Sequence, residues 1–528
     1  MKKVYLILLI VLSTIVYAQY PHHALKTIME VEYIPQHYQL GTGMIGLGDI
    51  NSDGKPDFAV SARAIKKTFI YYGGEGVLDD TVDIEIEGGG AMEKGDLNGD
   101  GALDLVIYMR GDSTTGYYNR LAVYLGRKDS IVKIGREPTL YIEEEELSSR
   151  FGETFAIGDL NGDGYDDLVV GAWDYDIPRG KVYLYYGKPN INNIPDETEE
   201  GEKTDSAYSS YGFRLNIADI NGDEINDLVI GADRRRYVDD IWITDGFLDI
   251  FLGGNDFNFS SDGYVQRLEK SNSGFEYIQY STLCDINADE ISDISYAKGD
   301  SAYFFLGNPD SISYTPNLIL VNPDTSFYSS FGSCFDIGDV NNDGKNDCAF
   351  RLAPGGYATC LVVYLGDTVP DPIAGRCKSF VSGSPFSPIV ALGDVNGDGV
   401  NDFGTVAPQN PLSSQPQNGY FVILSGDSSF VTSVPQEETV PRESYLEQNY
   451  PNPFNPTTII EYYLPTHSKV RLVIYNSLGQ EVETLVSEFQ TSGEHRVQFN
   501  ASGYSTGVYF YSLITVNNKL TQKMLLVK

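Results

Sequence analysis

The fold is decided by a nine-residue stretch that the chain repeats, seen most clearly as Asp159-Leu-Asn-Gly-Asp-Gly-Tyr-Asp-Asp167 followed by Leu168-Val-Val-Gly-Ala172. Seven copies occur, and they open at Asp49, Asp96, Asp159, Asp219, Asp285, Asp339 and Asp394. Successive copies begin 47, 63, 60, 66, 54 and 55 residues apart. An internal repeat on this pitch indicates that each copy marks one structural unit of a larger array.

Every copy carries aspartate at positions 1, 5 and 9 and asparagine at position 3. Side-chain oxygens at alternate positions of a tight loop suit Ca²⁺, a hard cation that takes about six to eight oxygen ligands. The four side chains and the carbonyl of position 7 can supply about five of these ligands. We therefore predict up to seven structural Ca²⁺ sites, whose side-chain ligands are Asp49, Asn51, Asp53 and Asp57; Asp96, Asn98, Asp100 and Asp104; Asp159, Asn161, Asp163 and Asp167; Asp219, Asn221, Asp223 and Asp227; Asp285, Asn287, Asp289 and Asp293; Asp339, Asn341, Asp343 and Asp347; and Asp394, Asn396, Asp398 and Asp402.

Position 6 governs how sharply each loop can turn, and it is glycine in five of the copies. Glycine permits such a turn because it has no Cβ. Glu224 and Glu290 take its place in the copies that open at Asp219 and Asp285. We expect weaker or distorted sites in those two copies.

Two other interpretations of the repeat must be weighed. An EF-hand loop opens in the same way but closes with a bidentate glutamate at position 12, whereas position 12 is not acidic in any copy. Asp, Asn and Gly also form ordinary turns, but a turn does not require a fixed acid at position 9. The residues after position 9, as in Leu105-Val-Ile107 and Leu228-Val-Ile230, are apolar and mostly β-branched, which predicts buried strands. The loop therefore joins strands.

Further strands surround each loop. A strand ending in glycine follows, as in Val182-Tyr-Leu-Tyr-Tyr-Gly187, and another precedes it, as in Thr154-Phe-Ala-Ile-Gly158. Three or four antiparallel strands per unit, without helical periodicity, predict an all-β fold, namely a seven-bladed β-propeller over residues 19–431. We expect residues 24–34 to close the ring by adding the outer strand to the last blade, which contains Asp394.

The repeats resemble the FG-GAP and VCBS-type repeats of the integrin α-subunit propeller and its bacterial relatives, over about residues 38–430. Phe151-Gly152 and Phe331-Gly332 carry the first half of the FG-GAP name, and Gly171-Ala172-Trp173 carries part of the second. The resemblance implies that Ca²⁺ in these loops is structural. It also implies that partners bind to loops on the other face of the propeller.

The beginning of the chain differs from the repeats. Residues 1–18 combine Lys2-Lys3, an apolar run and the small-residue end Val16-Tyr-Ala18, a pattern typical of a signal peptide. The apolar run is too short to span a bilayer. We therefore expect export and no transmembrane anchor in the mature chain.

The end of the chain also differs. Residues 432–445 are polar and contain proline, which predicts a linker. The alternating pattern of Val470-Arg-Leu-Val-Ile-Tyr475 predicts that residues 446–528 form a small β-sandwich. This segment, which contains Gln448-Asn-Tyr-Pro-Asn-Pro-Phe-Asn-Pro-Thr457, resembles the type A C-terminal sorting domain of the type IX secretion system. The resemblance implies that the type IX machinery carries the protein across the outer membrane of a Bacteroidetes-like bacterium, for surface attachment or release; an ordinary appended binding domain is the alternative.

Composition limits the possible partners. With 37 Lys and Arg against 74 Asp and Glu, the net charge is −37. This acidic balance argues against nucleic acid as a partner, because phosphates require a basic surface. Five cysteines without a Cys-x-x-Cys pair give little support to a zinc or thioredoxin-like site, while a disulfide joining Cys348 to Cys360, or Cys360 to Cys377, is permitted outside the cytoplasm.

Histidine is rare, and the five in the chain are His22, His23, His37, His467 and His495. A Ser-His-Asp triad or a His-ligated zinc therefore cannot be assembled within the blades. Arg110-Gly-Asp112 matches a short adhesive motif, but a tripeptide of this kind arises easily by chance.

Two main hypotheses for the function remain. The leading one is a non-enzymatic, secreted or surface-attached protein that binds a protein or a glycan, with some of its 38 tyrosines available to stack on sugars. The alternative is a polysaccharide-acting hydrolase or lyase with a carboxylate pair in the propeller funnel, since such a pair needs no histidine. Buried acids near the ring axis, outside the seven loops, would favour the enzyme. A rigid spacer is a third possibility.

Overall fold

The computed structural model describes residues 26–31, 40–76, 78–111, 119–127, 135–143, 149–176, 179–204, 207–238, 241–259, 264–269, 282–298, 301–308, 316–321, 330–353, 358–367, 376–381, 388–407, 419–428, 445–464, 468–490, 493–515 and 519–528. The chain divides into two compact units, Met1–Ser433 and Val434–Lys528. The aspartate loops all lie in the first unit.

The described residues of the first unit form seven antiparallel sheets, which we call blades 1 to 7 in the order of their aspartate loops. Within a blade, strand A precedes the loop, strand B follows it, and strands C and D complete the sheet. Strands A to D are Leu40–Gly48, Asp57–Ala62, Lys67–Tyr71 and Ile84–Glu87 in blade 1; Met92–Gly95, Asp104–Met109, Arg120–Tyr124 and Leu140–Glu143 in blade 2; Thr154–Gly158, Asp167–Ala172, Lys181–Tyr185 and Glu197–Glu200 in blade 3; Ala207–Ala218, Asp227–Val238, Ile241–Phe251 and Tyr264–Glu269 in blade 4; Thr282–Cys284, Asp293–Lys298, Ser301–Phe305 and Leu318–Val321 in blade 5; Ser330–Gly338, Asp347–Ala353, Ala358–Tyr364 and Arg376–Val381 in blade 6; and Ile389–Gly393, Asp402–Ala407, Tyr420–Ser425 and Lys26–Val31 in blade 7. Lys203–Thr204 pairs with strand A of blade 4, and a short 3-10 helix, Arg63–Ile65, follows strand B of blade 1.

Strand B is the most deeply buried strand of a blade. In blades 1, 2 and 3 it is buried over its whole length, from the aspartate at position 9 onward. A short continuous apolar run, rather than an alternating one, is what a strand covered on both faces requires. Each blade is covered in this way because it packs between two neighbours.

The blades follow one another around a closed ring. Strand A of each blade contacts strand A of the next, and strand A of blade 7 contacts strand A of blade 1. A separate apolar cluster lies at each of the seven junctions. At the junction of blades 7 and 1, the rings of Phe58 and Tyr71 pack against Phe421. The all-β propeller expected from the sequence is confirmed.

The last blade takes its outer strand from the beginning of the chain. Lys26–Val31 pairs antiparallel with Tyr420–Ser425, and the side chains of Met29 and Val31 are buried in the cluster between blades 7 and 1. The predicted closing strand is therefore confirmed. Two distant segments of the chain are joined in one sheet, which ties the ring shut.

The second unit is a two-sheet sandwich. One sheet contains Tyr445–Leu446, Thr457–Leu464 and Gly493–Asn500, and the other contains Glu481–Gln490, Ser468–Tyr475, Gly507–Ile514 and Lys519–Leu526. Ile460 and Phe499 of the first sheet share one apolar core with Leu472 and Leu513 of the second. The expected small β-sandwich is confirmed.

Several predictions from the sequence fall outside the described residues: the signal peptide at 1–18, most of the linker at 432–445, and Asp112 of the adhesive motif. Among the described residues no helix has the length and apolar character needed to cross a membrane. The proposed Cys348–Cys360 disulfide is wrong, because Cys348 is a free thiol whose neighbour across the sheet is Tyr364. The Cys360–Cys377 pairing stays a prediction.

Candidate metal centres

All 28 predicted ligands lie in described residues, and each loop holds its four side chains in the same way. In the first loop, the carboxylate of Asp49 accepts the backbone amides of Asp53 at 3.1 Å and Gly54 at 2.9 Å. The side-chain oxygen of Asn51 accepts the amide of Asp53 at 2.9 Å, and Oδ1 of Asp53 accepts the amide of Lys55 at 2.9 Å. These bonds wrap the backbone around the side-chain oxygens and gather them in one turn.

The pattern recurs around the ring. In all seven loops the amide of position 6 donates to the aspartate at position 1 over 2.7 to 2.9 Å. The amide of position 7 likewise donates to the aspartate at position 5 in every loop. The same two bonds therefore shape the backbone around positions 1 and 5 in every loop.

Position 9 has a second task that the sequence did not reveal. Its carboxylate is fully buried in all seven loops and accepts the amide of position 2 over 2.9 to 3.1 Å. In blades 1 to 6 its other oxygen accepts the amide of the glycine after strand C, over 2.6 to 2.9 Å. In blade 7 the side-chain amide of Asn396 donates to Asp402 instead. In blades 1 to 6 this aspartate therefore fastens the loop to the end of strand C in the same sheet.

Burial raises the pKa of these carboxyls. The pKa of Asp57 and that of Asp104 are raised to about 6. Those of the other five position-9 aspartates are raised to about 7. Desolvation is the largest cause, the backbone amides oppose it, and the carboxylates at positions 5 and 1 raise the pKa further. The three acids of a loop are therefore close enough to repel one another.

Two positions of each loop adopt a left-handed backbone, and only one of them was anticipated. Position 6 has a φ of +68° at both Glu224 and Glu290, a little below the +76° to +92° of the five glycine loops. Both glutamates keep the amide bond to position 1. The expected distortion of these two loops is absent from the backbone, while weaker affinity there stays a prediction. Position 4 also has a positive φ in every copy, and the glycines at Gly99 and Gly162 were a signal that could have revealed it.

The glycine after strand C is a functional residue that sequence reasoning noticed but did not explain. A Cβ at Gly73, Gly187 or Gly366 would overlap the carbonyl oxygen of position 8 in the same blade's loop. The same carbonyl blocks a Cβ at the corresponding glycine of the other four blades. Only glycine fits at this place. It lets the end of strand C come close enough for the glycine's own backbone amide to reach the buried aspartate at position 9.

Backbone hydrogen bonds connect one loop to the next. The amide of Asp166, at position 8 of the third loop, donates to the carbonyl of Asp96 at 3.0 Å, and Ser292 donates to Asp219 at 2.9 Å. The residue after the strand C glycine also donates to position 2 of the preceding loop, as with Gly254 and Leu160 at 2.9 Å. Such bonds join blades 2 and 3, 3 and 4, 4 and 5, 6 and 7, and 7 and 1, so the loops lie on one face of the ring and form a belt there.

The donor set fits a hard divalent cation. Carboxylate, amide and carbonyl oxygens are the ligands that Ca²⁺ prefers, and each carboxylate oxygen that accepts one N–H retains a second lone pair. The acids of a loop are spread too widely for their ligand atoms to lie within 4.8 Å of one another. Ligands that share one Ca²⁺ at about 2.4 Å lie no more than about 5 Å apart. The loop would therefore have to draw its three carboxylates closer together to bind the ion.

The opposite face carries a different chemistry between blades 3 and 4. The half-buried rings of Trp173 and Phe213 meet edge to face with centroids 5.3 Å apart. The guanidinium of Arg150 lies 5.4 Å from the Trp173 ring, and that of Arg214 lies 4.9 Å from the Phe213 ring. Trp173 follows strand B and Arg150 precedes strand A, so both lie at the ends of the strands farthest from the loops. We call these four residues the aromatic platform.

Blade 4 extends beyond its neighbours beside this platform. Its strands B and C have 12 and 11 residues, whereas those of blade 3 have 6 and 5. The extension carries Arg234-Arg235-Arg236, a basic run in an acidic chain. Among the described residues, strands B and C of blade 4 therefore project from the face opposite the loops.

Acids in the A strands bear on the enzymatic alternative. Burial raises the pKa of Glu93, in blade 2, to about 7, and the charged neighbour that opposes this shift is Lys94. Asp336, in blade 6, has a raised pKa because of burial, and its acidic neighbour is Asp285. Among the described residues, Glu93 and Asp336 are the two acids within the A strands. Neither contributes to the pKa shift of the other.

In the second unit, the motif that resembles a sorting domain is fixed by a buried asparagine. The amide of Asn449 donates to the Tyr511 hydroxyl at 2.7 Å, and its side chain donates to Thr458 Oγ1 at 2.8 Å. The Tyr511 hydroxyl in turn donates to the carbonyl of Glu447 at 2.7 Å. The motif therefore joins the two sheets of the sandwich.

Fold and loops define the class: a β-propeller of acidic-loop repeats with an appended sandwich. Comparison with known families makes this more specific. Residues 448–528 match the family described as secretion system C-terminal sorting domain, and residues 151–185 match the FG-GAP repeat. Both resemblances expected from the sequence are confirmed. The sorting domain marks the protein as exported, to the cell surface or the medium.

Individual relatives match part of the propeller. Phosphatidylinositol-glycan-specific phospholipase D of Homo sapiens is 35% identical over 156 residues, which is 27% of this chain and 18% of that protein. Integrin alpha-4 of Xenopus laevis is 32% identical over 148 residues, which is 27% of this chain and 14% of that protein. The chain thus spans less than a fifth of the length of either relative. Among solved structures, the Dos1 propeller is 9% identical with a TM-score of 0.36, over 73% of this chain and 77% of that chain.

Proposed function

We propose that the protein is a calcium-stabilised binding propeller, exported by the type IX secretion system of a Bacteroidetes-like bacterium, which holds a glycan or protein partner on the face opposite its aspartate loops. The aromatic platform carries the proposal. Aromatic faces stack on sugar rings and on apolar side chains, and arginine donates to hydroxyls, carboxylates and sulfates. Phosphatidylinositol-glycan-specific phospholipase D and integrin alpha-4 share part of this repeat region, and neither similarity extends to the whole of those proteins.

Calcium acts in this proposal by shaping the scaffold. Positions 1, 3, 5 and 9 of each loop, with the carbonyl of position 7, would hold one ion and neutralise three mutually repelling acids. Because the same loops donate hydrogen bonds to their neighbours, ordering one loop also orders the next. The platform on the far face is then held by a ring of fixed shape.

The binding test compares the two faces. Purified protein is applied to a glycan array and to surface proteins of candidate hosts, with Ca²⁺ and with chelator. We expect binding that the W173A and R150A variants lose. The K188A variant is the matched control, because Lys188 follows strand C at the loop end and pairs with Asp196 at 3.0 Å. Equal loss in all three variants, or binding unaffected by W173A, would reject the platform as the binding surface.

The enzymatic alternative is tested on the same ligands. A hydrolase or lyase would cleave bound polysaccharide, and the E93Q variant would lose that cleavage if Glu93 supplied the acid. We expect binding without cleavage, since a pair of acids is required and Glu93 has no second carboxylate beside it among the described residues. Product release that depends on Glu93 would favour the enzyme.

A further inference from the structure

Three cysteines meet at the junction of blades 5 and 6. Cys284, Cys334 and Cys348 are all buried, and their sulfur atoms all lie within 4.8 Å of one another. The sulfurs of Cys284 and Cys334 are 3.3 Å apart. Among the described residues this is the one cluster of three or more metal-ligating side chains with so close a spacing.

The fold, rather than the sequence spacing, assembles this cluster. Cys284 ends strand A of blade 5, whereas Cys334 and Cys348 lie in strands A and B of blade 6. Cys348 pairs with Asp336 across the sheet, and Asp336 lies two residues after Cys334 on the same strand. Because residues two apart on a strand share a face, Cys334 and Cys348 lie on the same side of the sheet. Because 50 residues separate Cys284 from Cys334, a search for Cys-x-x-Cys pairs could not find the site.

The three thiols lie in apolar surroundings, shielded from water. The cluster belongs to the apolar core of this junction, with Phe304, Leu320 and Phe350. The described residues near it include no histidine or carboxylate close enough to join the three sulfurs as a ligand. The hydroxyl of Ser295 contacts Cys334 and is the nearby neutral oxygen.

The ligand set selects the kind of metal. Sulfur ligands favour soft ions such as Cu(I) and also bind Zn²⁺. A metal about 2.3 Å from each of three sulfurs holds the sulfurs about 4 Å apart. In the cluster, the sulfurs of Cys284 and Cys334 are 3.3 Å apart and all three sulfurs lie within 4.8 Å of one another, so the required distance falls in the observed range. Structural Zn²⁺ normally has four protein ligands, so three enclosed sulfurs match Cu(I) better.

We propose that Cys284, Cys334 and Cys348 form a binding site for one soft d10 metal ion, best matched by Cu(I), which cross-links blades 5 and 6. The ion would act as a buried clamp between two sheets that share an apolar core. This site is independent of the aspartate loops, whose oxygen ligands select a hard cation.

The test is a Cu(I) titration of the reduced, full-length protein under anaerobic conditions with Ca²⁺ present and a Cu(I) chelator as competitor. We expect one equivalent of copper to be retained, and X-ray absorption of the wild-type complex to show sulfur as the only close neighbour of copper. The C334S variant should lose the retained copper, whereas C360S and C377S should keep it, because they change the other two cysteines of the chain. In a parallel Zn²⁺ titration we expect weaker retention of zinc than of copper, and tighter retention of zinc would overturn the assignment to Cu(I).

Three results would overturn the site: no metal retained by wild-type protein, copper with oxygen or nitrogen neighbours, or equal retention by C334S. A fourth result would also overturn it: a Cys284–Cys334 disulfide, detected by mass spectrometry of the unreduced protein. Such a disulfide would leave only one of the three thiols free to bind a metal. The absorption experiment needs no variant, so it stands even if C334S does not fold.

Discussion

At the scale of single residues, the aspartate at position 9 carries two tasks. It accepts backbone amides from the loop and from the end of strand C, so it stabilises the blade whether or not a cation is bound. It is also the third acid of each loop, and burial disfavours its ionised form. Metal binding and folding are therefore linked through this one side chain.

This linkage predicts an unusual dependence of stability on pH in chelator. The unfolded carboxyls ionise near 3.8, whereas in the folded protein the pKa is raised to about 6 at Asp57 and about 7 at Asp167. Between about pH 4 and pH 7 the folded state therefore binds more protons, and stability falls as the pH rises through that window. We expect the melting temperature in chelator to be higher at about pH 5 than at about pH 8.

The melting measurement uses tryptophan fluorescence, since Trp173 and Trp242 are the only tryptophans and both lie in the propeller. Saturating Ca²⁺ should abolish the fall in stability at higher pH because it neutralises the ionised form. A melting temperature in chelator that is flat or rises with pH would show that these carboxyls are not protonated in the folded state.

A second residue-scale prediction concerns position 6 of the weaker loops. Glu290 holds a left-handed backbone that disfavours any residue with a Cβ. The E290G variant should therefore be more stable by about 0.5 to 1 kcal/mol and bind Ca²⁺ more tightly at that loop. The G54E variant should lose a similar amount, because Gly54 has the same conformation and open space around it. Urea denaturation measures both, and a destabilised E290G would contradict the argument.

At the scale of elements, the strand C glycine is the feature on which blade geometry depends. Position 8 of the loop and the end of strand C approach so closely that no side chain fits between them. The sequence predicted that strand C ends in a glycine, and it also predicted the order of the strands and the positions of the loops. It could not show the contact, because residues such as Pro56 and Gly73 meet only after the sheet has formed.

Two adjacent glycines provide a matched test of this contact. A Cβ at Gly73 would overlap the carbonyl of Pro56, whereas at Gly74 its nearest neighbour is Leu78 at 3.9 Å. We expect G73A to lose about 2 kcal/mol or more of unfolding free energy and G74A to change it by less than about 0.5 kcal/mol. Equal effects would show that the close approach is not needed.

The closing strand gives a second test at this scale. Met29 and Val31 are buried between blades 7 and 1, so the M29D/V31D double variant should lose at least about 3 kcal/mol and expose the edge of Tyr420–Ser425 to aggregation. The K26Q variant is the control, because Lys26 is exposed in the same strand. A double variant as stable and soluble as the control would mean that the ring does not need this strand.

At the scale of the whole molecule, the propeller is a ring whose blades are joined by apolar clusters and by a belt of loops on one face. The sequence predicted the loops, the sheets, the closing strand and the sandwich because each rests on a local pattern or a repeat. It did not predict the aromatic platform or the three-cysteine cluster. Trp173 with Phe213, and Cys284 with Cys334, belong to different blades and meet only across a junction.

The central claim is that calcium in the aspartate loops locks this ring, and calcium titration of metal-free protein tests it most directly. Ion stoichiometry and melting temperature are followed together in the same samples. We expect several Ca²⁺ per chain, up to the seven loops of the sequence, with a stabilisation of about 1.4 to 2.7 kcal/mol per site at about ten to a hundred times its dissociation constant. A chain that binds no Ca²⁺ at millimolar concentration, and melts at the same temperature in chelator, would contradict the account.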